Sequence, residues 1–303
     1  MAIIPLPFNG MSQHVIPISG KDSLATAIVQ SINTPDVDYR YVFNDVGSEL
    51  PETYEWINKV ESKMGWQIER VGESIENIIK KYNVLPSRQM RFCTSSGKIK
   101  PFEKLFKKQE SVIVYYGLRF DEPNRIGYVP HNNIIPRYPL RELGITLPMV
   151  LAICNSKGLK PPTFFWQTLY DQVCEEMVSR CPLFDWKGCI SEIEFDYLFA
   201  GRSRSNCYFC FFQRQYEFIW LAETHPDLFE NAIKLEKTHG KEGYTWLREY
   251  NLPDLLKRKD EVINRRVKQV CRHIENRMNS QLFGGIEIDN ELAFTGCGLL
   301  CGK

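Results

Sequence analysis

The chain has no apolar run that approaches the roughly 20 residues a membrane-spanning helix requires, which excludes a helical integral membrane protein. Its first residues contain no basic segment followed by an apolar one, so secretion is not expected and a cytoplasmic location is. Charge of either sign is not in excess. Lys and Arg number 38 against 37 Asp and Glu, a formal net charge of +1. That balance removes any bulk attraction to nucleic acid while leaving room for a local basic patch. What the chain does hold in number is cysteine, ten in 303 residues. In a short secreted protein this would suggest a disulfide framework; in a cytosolic chain of this length it points to metal ligation, redox chemistry or buried thiols. With 43% hydrophobic residues the chain builds a substantial core, as one large domain or one domain plus a smaller lobe.

The most informative stretch runs His14-Val15-Ile16-Pro17-Ile18-Ser19-Gly20-Lys21-Asp22-Ser23 and passes at once into Leu24-Ala25-Thr26-Ala27-Ile28-Val29. An apolar run ending in small residues and a lysine, followed by helix formers, reads as strand, tight turn and helix N-terminus. The amides of a first helical turn and the positive end of the helix dipole attract an anion, and Gly20 lets the backbone come close. Lys21 adds a full charge. An ordinary strand-to-helix turn would have the same local look, so the pentapeptide needs context.

The context follows in order. A helix to about Gln30 leads to a second strand at Tyr39-Arg40-Tyr41-Val42-Phe43. A right-handed parallel crossover sets the carboxyl ends of both strands at one edge, where open α/β sheets bind ligands. Residues 44–49 then belong beside the phosphate turn. A helix from Pro51 to Met64, a strand over Trp66–Val71 and a helix from Ile75 to Tyr82 are predicted next.

Residues 85–101 carry Arg88-Gln89-Met90-Arg91-Phe92-Cys93-Thr94 and then Lys98-Ile99-Lys100-Pro101. They resemble the arginine-cysteine-threonine, lysine, proline segment of the phosphoadenosine phosphosulfate reductase family, part of the adenine-nucleotide alpha hydrolase superfamily that also holds the ATP pyrophosphatases. The opening turn is similar to that family's pyrophosphate loop at Gly20, Lys21, Asp22 and Ser23, with Ile18 and Ser19 in place of its serine and first glycine. Residues 43–53 resemble its aspartate-threonine-glycine and glutamate-x-proline-glutamate-threonine stretch, with Val46 where threonine is common. Val112–Arg119 reads as a buried strand ending in glycine and arginine, and Arg119, Glu122 and Arg125 resemble the family's arginine-glutamate-arginine cluster. The resemblance covers about residues 14–125. It implies a Rossmann-like parallel sheet with helices on both faces over 1–130; the residues beyond read as a mainly helical, cysteine-containing region over 131–303.

Residue by residue, the resemblance and the chemistry agree. Ser19, Gly20, Lys21, Asp22 and Ser23 form the phosphate cradle, and Arg91, Lys98 and Arg119 are candidates for phosphate or sulfate oxygens, which guanidinium forks grip well. Asp45 and Glu49 are candidates for Mg²⁺, a hard cation that usually takes one or two carboxylates with phosphate oxygens. Asp22 has a second possible role as the cap of the helix it begins. Lys21, Asp22, Arg91 and Arg119 are the expected catalytic set.

In the second half, a loop rich in Asn and Pro over 131–140 precedes helices starting near Thr146 and over 164–178, with Cys154 and Cys174 read as buried thiols. Cys207-Tyr208-Phe209-Cys210, preceded by Arg202 and Arg204, is a Cys-x2-Cys pair suited to Zn²⁺ or an iron–sulfur cluster. One pair is half a site. Cys297 and Cys301 would complete four thiolates, Cys93 would make a three-thiolate alternative, and otherwise the tail is a redox arm. A helix over 213–237, interrupted near Pro226, is followed by a short helical hairpin from Trp246-Leu247-Arg248 and 252–258. A basic helix over 261–278, with Arg265, Arg266, Lys268, Arg272 and Arg277, is usually a solvated face but offers a tRNA or DNA acceptor a place to bind.

The expected activity is an ATP pyrophosphatase-type reaction, in which ATP is cleaved at the α-phosphate to activate an acceptor in sulfur transfer or nucleic-acid modification. Thiol-dependent reduction of phosphoadenylyl sulfate through Cys297 or Cys93 is the alternative enzyme reading, and a nucleotide-binding protein without turnover is the non-enzymatic one.

Overall fold

A computed structural model describes residues 13–106, 111–125, 127, 133–182, 185–237 and 244–283 of the chain. Among the described residues five short runs, apolar except for the alternating β3, form strands: β1 (Gln13–Pro17), β2 (Tyr39–Asn44), β3 (Ile68–Val71), β4 (Val112–Tyr115) and β5 (Ile134–Arg137). Every pairing is parallel, in the order β3-β2-β1-β4-β5. Between the strands run α1 (Lys21–Asn33), α2 (Pro51–Met64) and α3 (Ile75–Tyr82), then the short turns α4 (Phe92–Thr94) and α5 (Lys100–Glu103) with a wide π-helical turn, Ser95–Ile99, between them. Beyond β5 come α6 (Pro139–Glu142) and α7 (Leu147–Ser156). The sheet thus continues past residue 130, its fifth strand lying in the stretch read from the sequence as an Asn- and Pro-rich loop.

Strands that run parallel are covered on both faces, and the alternation of side chains along each strand assigns the faces. Ile16, Tyr41, Phe43 and Ile113 pack with Leu24 and Ile28 of α1, Trp56 and Ile57 of α2, and Val150 of α7. Val15, Val42, Val112 and Val114 point the other way, against Phe102 of α5.

The described residues beyond α7 are mainly helical: α8 (Gln167–Arg180), α9 (Glu192–Leu198), α10 (Gln215–Thr224), α11 (Pro226–Lys237), α12 (Leu252–Lys257) and α13 (Lys259–Phe283), with the 3-10 turn Trp186–Cys189 between α8 and α9. Their core contains Trp166, Trp220, Phe218, Val270 and Cys271, and the same cluster takes in Val46, Leu50, Ile75 and Leu85 from the sheet region. Two expectations shift, and the interruption near Pro226 holds. Helix α8 starts at Gln167 rather than 164 because Trp166 N donates to Phe199 O at 2.8 Å and Phe165 bridges Ala200. Pro226 separates α10 from α11 and opens the latter, where its missing N–H costs nothing. Trp246–Arg248 is not helical, because Trp246 is held by other means: its amide donates to the Glu236 carboxylate at 2.9 Å and its indole to Ala232 O at 3.0 Å.

Candidate nucleotide site

The sheet order reverses direction between β1 and β4, the position where ligands bind in open α/β sheets. Both loops leaving these strands meet there. Ile18 does not join the phosphate turn: its N–H donates to Val42 O at 2.7 Å and its side chain is fully buried, so it extends the sheet core by one residue. Ser23 folds back on the turn, its Oγ accepting from Ser19 N at 2.9 Å and Gly20 N at 3.1 Å and donating to Gly20 O at 2.9 Å. The first intrahelical bond is Leu24 N to Gly20 O at 3.0 Å, so the amides of Lys21, Asp22 and Ser23 lie ahead of it, where a helix has no carbonyl for them. The helix dipole and the Lys21 ammonium add positive potential at that point.

A cavity of about 210 Å³ opens over this turn. Ser19, Gly20, Lys21, Asp22 and Ser23 line one wall and Tyr116, Gly117 and Leu118 another. Leu147 and Leu151 of α7, with Pro161, Pro162 and Phe164, supply an apolar end suited to a purine face. Lys21, Arg125, Lys160, Arg202 and Arg204 face it against two carboxylates, Asp22 and Asp196. The donor set therefore fits a polyanion with an aromatic base.

Arg202, read from the sequence as a neighbour of the Cys-x2-Cys pair, lines the cavity instead. Yet it is 1% exposed, its Nη2 donates to Asn206 O at 2.8 Å, and its Nη1 is buried with no acceptor among the described residues. Burial draws its guanidinium below the ordinary value, with Glu217 opposing. A buried guanidinium with an orphaned N–H group is a costly arrangement that an anionic ligand would relieve. The loop can pass this close to Trp220 because residue 201 is glycine; a Cβ there would collide with the indole.

The other expected residues separate into two groups. Arg119 lies behind the phosphate turn instead of on it: 1% exposed, it pairs with Asp22 at 3.0 Å, Asp121 at 2.9 Å and Glu122 at 3.5 Å, and it does not line the cavity. Asp22 is held between Arg119 and Lys21, which is 3.8 Å away. Asp45, Glu49, Arg91 and Lys98 also lie off the cavity. Asp45 Oδ1 accepts from Gly47 N and the Tyr54 hydroxyl, both at 2.8 Å, and Glu49 pairs with Lys98 at 3.6 Å. These carboxylates do not fit a Mg²⁺ shared with phosphates in this cavity. Asp22 and Asp196 are committed to cations, Asp196 to Lys160 at 2.8 Å, so charge neutralisation there falls to Lys21 and the arginines.

Arg91 belongs to a second cluster. Arg88, Arg91 and Arg204 set their guanidinium groups over the Phe212 ring at 5.6, 5.6 and 5.7 Å, and Arg204 links this group to the cavity. The Cys207–Cys210 turn rests on the loop after β2, with Tyr208 N donating to Ser48 O at 2.8 Å. Burial pushes the Cys207 thiol well above its ordinary value, and Glu49 beside it adds to the effect. Among the described residues no group of three or more His, Cys, Asp or Glu side chains is arranged to hold a metal ion. Cys297 and Cys301, the other half of the expected four-thiolate site, lie outside the described residues. Also among the described residues, no helix is long and apolar enough to cross a membrane.

Comparison with known proteins follows the same outline. An uncharacterized protein of Methanocaldococcus jannaschii is 33% identical over 103 residues, covering 33% of this chain and 21% of its own length. A second uncharacterized protein of that organism is 20% identical over 266 residues, 82% of this chain and 54% of its own. The chain thus spans about half, or less, of the length of the curated relatives it matches. A phosphoadenylyl-sulfate reductase from Candida auris, solved as a phosphate complex, is 20% identical with a TM-score of 0.38, over 55% of this chain and 78% of that one. The family model described as the phosphoadenosine phosphosulfate reductase domain matches residues 13–189, from β1 to the turn ending at Cys189. With more than half its length matched, and with the phosphate turn and the cavity falling within or against that stretch, the chain belongs to the phosphoadenosine phosphosulfate reductase domain family, a family of nucleotide-binding enzymes.

Proposed function

We propose that this chain binds ATP at the carboxyl edge of its sheet and cleaves it at the α-phosphate to activate an acceptor. The observation that carries the reading is the cavity itself: the first turn of α1 with Lys21 on one side, the orphaned Arg202 Nη1 on the other, and an apolar pocket beyond. The base lies on Leu147 and Leu151, and the β- and γ-phosphates lie on the amides of residues 21–23. An acceptor oxygen attacks the α-phosphorus, the bond to the bridging oxygen breaks, and pyrophosphate leaves with the electron pair while the acceptor proton passes to solvent. Lys21 and Arg202 meet the charge that develops on the leaving group, in a wall already oriented for it. Arg119 acts one step back, fixing Asp22 and through it the first turn.

Cys207 and Cys210 supply two thiolates, and the four-thiolate site is proposed with Cys297 and Cys301; a Zn²⁺ or cluster there would staple the tail to the loop after β2. The activity test is incubation with ATP labelled in the β- and γ-phosphates and candidate acceptors. Pyrophosphate release supports the reading. Sulfite release from phosphoadenylyl sulfate, with no pyrophosphate from ATP, would replace it with thiol-dependent sulfonucleotide reduction. Tight ATP binding with neither product would make the chain a nucleotide-binding interaction protein.

A further inference from the structure

Tyr197, near the end of α9, borders two cavities: the nucleotide cavity and a larger groove of about 750 Å³ between the end of α9, the start of α10 and the middle of α13. The groove's ionisable walls are Arg214, Arg265, Arg266, Arg272 and His273, and no Asp or Glu lines it among the described residues. The acidic groups around it are committed to partners. Glu261 pairs with Arg265 at 2.8 Å in an exposed ion pair of little strength. Glu194 is taken by Arg277 at 2.5 Å and lies 3.6 Å from His273, and Glu217 accepts from Arg214 N at 2.7 Å and Ser203 N at 2.8 Å.

Arg266 shows that the groove is more than a solvated basic face. The residue is 7% exposed and lines the groove floor. Its Nη2 donates to Leu198 O at 3.0 Å and its guanidinium lies over the Tyr216 ring at 4.8 Å, yet its Nε is buried with no acceptor among the described residues. A charge buried with an unsatisfied donor, in a groove without a lining carboxylate, calls for an anion.

We propose that this groove binds the sugar–phosphate backbone of a nucleic-acid strand and delivers it past Tyr197 to the nucleotide cavity. Arg265, Gln269, Arg272 and Asn276 recur along α13 on one face, and at 1.5 Å per residue that stripe is about 16 Å long. Even the phosphates on one strand of a duplex recur only about every 3.4 Å of helix axis, so the stripe is long enough for several phosphates of a strand and longer than one small anion needs. Polar donors line this stripe, which suits a backbone better than a base. The role of acceptor rests on the ATP-activation reading above; the binding itself does not.

The test is fluorescence anisotropy of the full-length protein with a fluorescein-labelled, mixed-sequence single-stranded oligonucleotide, without nucleotide, across a salt series. Affinity should fall with salt. The R265E/R272E double variant should weaken it by about tenfold or more and flatten the logarithmic salt slope by about 0.7 for each phosphate no longer neutralised, while ATP affinity by calorimetry is unchanged. Arg266→Gln, with its fold checked by circular dichroism, should weaken binding too. Equal binding by the wild-type and double-variant proteins would overturn the proposal. So would calorimetric binding of inorganic phosphate that the double variant abolishes, with no oligonucleotide binding, since the groove would then be a small-anion site. Absence of oligonucleotide binding by the wild-type protein, with its ATP binding intact, would remove the groove and leave the cavity reading standing.

Discussion

Gly117, just past β4, lies against the peptide that joins Asp22 to Ser23: a Cβ built on it would come within 2.6 Å of both the Asp22 carbonyl carbon and the Ser23 amide nitrogen. The two strand exits at the reversal of sheet order are therefore in backbone contact, and the first turn of α1 is held from behind. Gly117→Ala should force the turn away from β4. We expect a loss of about 1–3 kcal/mol of stability from overpacking, read by urea denaturation, and a weaker ATP affinity by calorimetry. Unchanged affinity would mean that the turn does not hold the phosphates.

Arg119 braces the same turn by a buried charge network. Arg119→Met leaves Asp22 and Glu122 without their shared cation and should cost about 3–5 kcal/mol in chemical denaturation. Arg119→Lys should recover only part of this, because one ammonium cannot span the carboxylates that a guanidinium fork does.

Arg202 faces the cavity and also ties its own loop through Asn206 O. Arg202→Lys should keep the fold, seen by circular dichroism, while weakening ATP binding about tenfold through loss of the fork. An ATP affinity equal to wild type would refute a role for the orphaned Nη1.

Cys154 of α7 donates its thiol to Lys21 O at 3.5 Å, and burial pushes that thiol from 9.0 up to about 12. The raised value means that the folded state favours the protonated form. The stabilisation is complete below pH 9, where both states hold the proton, and is lost as pH rises toward 12. The stability difference between wild type and Cys154→Ala should therefore shrink over that window. Denaturation midpoints that run parallel across it would contradict the assignment. Native Cys154 should also resist alkylation near neutral pH.

Protein purified without oxygen should carry a stoichiometric metal that both Cys207→Ala and Cys297→Ser lose, as read by metal analysis and the visible spectrum. Full occupancy in Cys207→Ala would rule out the thiolate site.

The amino-acid sequence by itself determined the element order from β1 to α3 and the strand β4, because each of these is local, whereas β5 reads as a loop. The helices Pro51–Met64 and Ile75–Tyr82 follow from apolar spacing, a proline at one start and a serine cap at the other. The phosphate turn was legible for the same reason, since Gly20, Lys21 and Ser23 act within a few residues of each other. Only the tertiary structure decided what those residues face. Arg119 and Arg91 carry the same charge, and nothing nearby in the chain says that one is buried under Asp22 while the other lies over Phe212. Asp45 and Glu49 were placed beside the turn by strand order, but Tyr54 and Lys98 take them away from it. Arg202 and Arg266 gain their meaning from burial with an unsatisfied donor, a property of packing between segments far apart in sequence. Charge type is written locally, whereas burial and partner are set by contacts that form only when the chain has folded.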